Sequence, residues 1–139
     1  MDELAKELKV EIFTFCDNAS KKGGSLSITG TFENWTAKEF PADFPDFCIA
    51  IRIRLPRTLP VVLCQLLILN PDGDLMLKPL DLKVTAPVWT AVVTNRNVKL
   101  PKEGTYRAVL YADKQVVASL PLFIKCAPVP GEVLEGHLN

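Results

Sequence analysis

The chain carries one histidine in 139 residues, His137, two places from its end. A general acid or base needs a fixed partner and a fixed orientation. A terminal residue offers neither, so a serine–histidine–acid set is not expected, and two histidines cannot share a metal within one chain. Net charge is also missing: sixteen Lys and Arg balance sixteen Asp and Glu. No chain-wide field draws the protein toward phosphate backbones or anionic lipid, so neither nucleic acid nor a membrane surface is expected as a partner. No apolar run reaches the roughly 18 residues that a membrane span needs. The opening stretch MDELAKELK lacks the basic end and apolar middle of a secretory signal. The expected compartment is therefore the cytoplasm, where thiols stay reduced. In that compartment the glycosylation-type triplets at Asn18 and Asn34 are chance matches.

Cysteine is sparse and scattered. Cys16, Cys48, Cys64 and Cys126 lie far apart, without the paired spacing of a structural zinc site. All four fall in or at the ends of expected strands, where free cysteine acts as a small hydrophobe. Gly23-Gly24 precedes a strand pattern and not a helix, so no helix N-terminus is available to hold phosphate. The acidic pairs are Asp43/Asp46 and Asp72/Asp74. The second opens like a calcium loop, but the twelfth place from Asp72 is Lys83 where such a loop needs Glu. A hairpin turn at 70–74 is expected instead. These absences leave no catalytic residue, no metal ligand set and no cofactor, and an enzyme is not expected.

What the chain does have is alternation. Phe47, Ile49, Ile51, Ile53 and Leu55 interleave with Cys48, Ala50, Arg52 and Arg54. A period of two marks a strand with one dry and one wet face. Residues 25–32 alternate in the same way, and 10–16 are rich in β-branched and aromatic types. Composition reads 17–24 as a loop joining these two strands into a long hairpin. Residues 61–69 are almost wholly apolar, which predicts a central strand with both faces covered. Further strands are expected at 75–78, 88–94, 105–112 and 116–126. Pro121 suits an edge strand or a kink, because it cannot donate to a ladder.

The expectation is an all-β, antiparallel two-sheet β-sandwich of about 7–9 strands, immunoglobulin-like in general architecture. It occupies 10–126, between an N-terminal extension at 1–9 and a tail at 127–139. In the extension, Leu4 and Leu8 fall on one side of a short helix that is marginal unless it docks.

Sandwiches serve many functions, so only surfaces can be nominated. One is a free sheet edge, at the first strand or at the Pro121 strand, open to a protein partner or to self-association. A second is the Phe13/Phe15 side of the first strand, if Val10 and Ile12 supply its core face. The reading is a non-enzymatic binding or assembly module, with a homo-oligomer as one form. The alternative is a small-molecule pocket beneath the 33–45 connection, lined by Trp35, Phe40, Phe44 and Arg52. Arg52, Arg54 and Arg57 form a basic cluster suited to a carboxylate-bearing partner. Cys48 shares the face of Arg52 and Arg54, which makes it the candidate reactive thiol if exposed.

Three segments carry a resemblance: EIFTFCDNA at 11–19, GSLSITGTFE at 24–33, and the Pro-Phe-rich link from Phe40-Pro41 through Pro45-Asp46-Phe47 into AIRIR at 50–54. Together they resemble a family of small bacterial proteins known only as a domain of unknown function, over roughly 10–125. The resemblance implies a β-sandwich and a bacterial intracellular origin, and it brings no catalytic residue.

Overall fold

The computed structural model describes residues 7–127. The expected helical turn at the start, the tail and His137 lie outside the described residues. Eleven strands run in chain order: β1 Lys9–Lys22, β2 Ser25–Phe32, β3 Asn34–Ala37, β4 Ala42–Phe44, β5 Phe47–Arg54, β6 Val61–Leu69, β7 Leu80–Thr85, β8 Val88–Asn95, β9 Val98–Leu100, β10 Gly104–Ala112 and β11 Gln115–Cys126. They form a four-stranded sheet, β2-β1-β5-β8, and a five-stranded sheet, β3-β11-β10-β6-β7, with a small β4-β9 ribbon closing one end. The protein is an all-β sandwich. Two of the extra strands, β3 and β4, come from the 33–45 connection. β3 runs parallel to β11, the one parallel pair among the described strands.

The core follows from strand parity. Phe47, Ile49, Ile51 and Ile53 of β5 face inward with Val62, Cys64 and Leu66 of β6 and Tyr106, Ala108 and Leu110 of β10, all in one buried cluster. Leu8 docks into the same cluster. Removing so much apolar surface from water is the main stabilising term. Burial pushes the inward Cys64 thiol up to about 11, so this cysteine is packing material and not a nucleophile.

β1 corrects one expectation. Its register against β5 shifts between Val10 and Ile12. The extra residue is Glu11, and such a bulge reverses the alternation beyond it. Val10, Phe13 and Phe15 therefore share the core side, with Phe15 only 1% exposed. Ile12 turns outward opposite Arg52. The Phe13/Phe15 side is core and offers no surface.

The expected loop at 17–24 is also corrected. Ladder pairs continue through Asn18↔Thr29 to Lys22↔Ser25, leaving only Gly23-Gly24 as the turn. Both glycines have positive φ, 57° and 92°, the twist that joins antiparallel strands most tightly. The polar composition of 17–22 reflects a strand arm that is exposed at every position but Ala19. At 75–78 only an isolated Leu69↔Leu75 bridge forms.

Candidate functional site

The two sheets treat their outer faces differently. On the four-stranded sheet, Cys16, Cys48 and Ala50 point away from the main core, yet they are 0%, 6% and 0% exposed. They form a second cluster with Ile12, Ala19, Leu26, Ile28 and Val92. Ala19 and Ile28 are cross-strand partners near the end of the β1–β2 hairpin. The end of β1 also meets β8, although β5 lies between them in the sheet, and Lys21 Nζ donates to the Thr90 carbonyl of β8 at 3.2 Å. The hairpin thus folds back over its own sheet. Gly30, at φ 69°, stands opposite Asp17, where a Cβ would collide with the Asp17 side chain.

The five-stranded sheet has no such cover among the described residues. Outward positions on β6 are Val61, Leu63, Gln65, Leu67 and Leu69, because Val62, Cys64 and Leu66 point inward. Register places Leu67 beside Val109, and Tyr111 beside Gln65. Val116 of β11 lies beside Tyr111, and Phe123 beside Thr105. Leu63 is 72% exposed, Val116 53% and Val61 44%. A shallow groove of about 680 Å³ runs past Leu63, Leu67 and Tyr111, rimmed by Asp81, Lys83 and Lys114. The expectation that 61–69 is covered on both faces holds only in part: the strand has neighbours on both sides, β10 and β7, and its outward face is half-buried at Leu67 and Leu69 but exposed at Val61, Leu63 and Gln65.

The nominated residues fall into separate places. Trp35 and Phe44 stack edge to face at 4.9 Å, and Phe44 meets Phe47 at 5.1 Å. Phe15 and Phe32 complete this aromatic group. Phe44 is buried and Phe40 is half-buried against the core. The cavity left at Phe32, Trp35, Phe44 and Phe47 is about 150 Å³, and a more open hollow of about 370 Å³ runs along the connection itself past Trp35, Lys38, Glu39 and Asp43. The aromatics pack together at this end of the sandwich. Arg52 is not among them. It lies on the outer face of β5, where its Nε donates to Glu11 Oε1 at 3.0 Å, while Arg54 Nε donates to Glu11 Oε2 at 2.8 Å. The Glu11 bulge thus supplies the carboxylate expected of a partner. These two arginines, Arg54 first, hold the Glu11 carboxyl below its ordinary value. Arg57 stands apart in the turn after β5.

Cys48 does share a face with Arg52 and Arg54, but the hairpin buries it. Its Sγ lies 3.8 Å from Thr94 Oγ1. In the closed fold Cys48 is only 6% exposed. The expected edges are corrected in part. In strand order β1 and β11 are interior and β2, β8, β3 and β7 are terminal, but β11 has β10 alone beside it over 115–122, so the expected edge at Pro121 exists locally. Pro121 is accommodated because β3 pairs β11 only from Phe123 onward. At 70–74 the turn forms as expected, with the Asp72 and Asp74 amides donating to Asn70 Oδ1. Asp43 pairs with Lys99 at 2.9 Å.

One structural residue escaped the sequence reading. Tyr106, near the start of β10, donates its hydroxyl to the Lys102 carbonyl at 2.6 Å and accepts from the Lys102 amide at 3.3 Å. Burial raises its pKa, against the lowering effect of that backbone bond. Gly104, at φ 141°, packs so closely on Pro71 that a Cβ would clash. The spacing Gly104-x-Tyr106 after a turn is the signal that could have revealed this corner.

A tyrosine closing the corner before its strand is a hallmark of immunoglobulin-like sandwiches. The strand order agrees: β1-β5-β8 occupy positions A-B-E of one sheet, and β6-β10-β11 occupy C-F-G of the other. The chain is an immunoglobulin-like β-sandwich. It belongs to DUF6941, a family of unknown function whose model matches residues 11–125. No curated protein matches it. Among solved structures it is similar to an immunoglobulin-like protein from Pseudomonas aeruginosa, at 12% identity and a TM-score of 0.44, over 85% of this chain and 96% of that one.

Proposed function

We propose that this protein is a non-catalytic binding or assembly module of the cytoplasm, and that it engages a protein partner through the outer face of its five-stranded sheet. The observation that carries this reading is exposed Leu63 in the groove that runs past Tyr111, with exposed Val116 beside Tyr111 and exposed Val61 two places from Leu63 on the same side of β6. Contiguous exposed apolar surface costs solubility and marks an interaction site in monomeric proteins. The same chain covers the equivalent face of its other sheet, so the bare face is not a general consequence of its composition. Asp81, Lys83 and Lys114 at the rim give the apolar centre and charged border of a protein interface. The partner is a second copy of the chain or a different protein.

Site-specific photocrosslinking tests this. A benzophenone side chain at Leu63 is expected to capture a discrete protein adduct in cells that make the protein. The same group at Ser27, on the wet side of the hairpin, is expected to capture none. No discrete adduct from Leu63, or equal capture from both positions, would remove the proposal.

A further inference from the structure

Cys16 and Cys48 are direct cross-strand partners on β1 and β5. Directly opposed residues of an antiparallel pair have Cα atoms about 4.5–5.5 Å apart and project to the same face. A disulfide needs about 4.4–6.8 Å and convergent Cβ vectors. The spacing therefore falls inside the disulfide range whichever kind of ladder pair this is. Both cysteines are free thiols. Cys16 Sγ approaches the Cys48 carbonyl at 3.7 Å, which puts the thiol alongside its partner's backbone. The other two cysteines are placed differently. Cys64 faces the main core, and exposed Cys126 ends β11, with its Sγ 3.7 Å from the Lys38 carbonyl.

We propose that Cys16 and Cys48 form a modifiable dithiol, converted to an intramolecular cross-strand disulfide by a low-molecular-weight disulfide. Cys48 reacts first, because it is 6% exposed where Cys16 is fully buried. Its thiolate attacks one sulfur of the small disulfide. That S–S bond breaks, and one small thiolate leaves and takes up a proton. Cys16, deprotonated in turn, attacks the Cys48 sulfur of the mixed disulfide, forms the Cys16–Cys48 bond and expels the second small thiol. Two protein thiols are oxidised by two electrons, and one small disulfide is reduced to two thiols. Burial, together with repulsion from Cys48 and Asp17, keeps the Cys16 thiol protonated in the closed fold. The hairpin must therefore lift before exchange proceeds, and the pair responds to oxidant only as fast as its cover opens. The product ties β1 to β5 beneath the hairpin and closes a loop in the unfolded chain, which raises the melting temperature.

The test uses the intact, unmutated chain. Native protein is incubated with oxidised glutathione, alkylated, digested with trypsin without reduction and mapped by mass spectrometry. The expected product joins peptide 10–21 to peptide 39–52. The thiols of Cys16 and Cys48 are expected to be lost together, apart from any glutathione taken up by exposed Cys126, and the melting temperature to rise. The Ile28→Ser variant, with its hairpin loosened, is expected to oxidise several-fold faster. Four thiols retained after long incubation would overturn the proposal, as would glutathione held on Cys48 as a stable mixed disulfide. Crosslinks confined to Cys126 would do the same. An oxidation rate unchanged by Ile28→Ser would overturn the gating by the hairpin.

Discussion

The two sheets of this sandwich present opposite outer faces to solvent. The four-stranded sheet folds its own hairpin back over Cys16, Cys48 and Ala50 and builds a second, smaller core there. The five-stranded sheet leaves Leu63, Val61 and Val116 in water. Both faces carry apolar side chains at outward positions, so the difference lies in the cover. An apolar side chain on a sheet stabilises the fold only if something removes it from water. On one face the chain supplies that something. On the other, under the proposed function, a partner does. An internal cover contributes to folding stability, whereas an absent one leaves binding energy in reserve.

Placing a charge at matched outward positions gives the largest expected contrast. Ala50→Glu forces a larger, charged side chain into the fully buried cluster beneath the hairpin, and should cost about 3–5 kcal/mol. Leu63→Glu puts the same group on the exposed side of β6 and should change stability by no more than about 0.5 kcal/mol. Urea denaturation of the two variants decides this, and equal losses would mean that the faces do not differ.

A backbone change gives the next effect. Gly30→Val forces a branched side chain to a positive φ and into Asp17, and should cost about 1–3 kcal/mol. Hydrogen exchange should show faster amides at Ala19 and Ile28 while those shared by β10 and β6 keep their protection. Uniform acceleration across both sheets would show that the hairpin is not a separate cover.

Trimming side chains is milder. Ile28→Ala removes part of a half-buried contact and should cost about 1 kcal/mol, below the range for fully buried isoleucine. Val116→Ala should be close to neutral. A calorimetric comparison in which Val116→Ala proves the more damaging would mean that the face near Tyr111 is covered after all.

The smallest effect concerns Glu11, whose ion pairs are partly exposed and weak. Its carboxyl is held below the ordinary value of 4.5 by Arg54 and Arg52. A lowered folded-state pKa gives stability that is present above the unfolded value and lost as pH falls through the folded one. Glu11→Gln should therefore have a slightly lower urea midpoint than the parent at neutral pH. The two midpoints should converge in acid below the carboxylate range. A gap that stays constant with pH would assign the loss to packing and not to charge.

Much of the architecture was legible in the local pattern. The alternation at 47–55 gave β5 and its core face, because a period of two leaves one side of a strand dry wherever the strand goes. The turn at 70–74 was legible because Asn70 and Gly73 carry their own turn chemistry. The candidate site was not. The unbroken apolar run at 61–69 looks the same whether its second face meets protein or water. Glu11 looks like any polar residue between apolar ones, yet as a bulge it reverses the parity of β1 and sends Phe13 and Phe15 inward. Trp35 and Phe44 were legible as aromatics of one loop, but their contact with Phe15, Phe32 and Phe47 joins residues from four separate segments.

The sequence by itself determined that this chain forms strands and where most of them lie. These are consequences of side-chain periodicity and composition, which act between near neighbours. Only the tertiary structure decided which outward faces are covered, that Cys16 meets Cys48 across a ladder, and that Glu11 pairs with both Arg52 and Arg54. Each of these depends on residues dozens of positions apart being brought together, and a register or a fold-back is fixed by the packing of the whole sandwich, which no local pattern encodes.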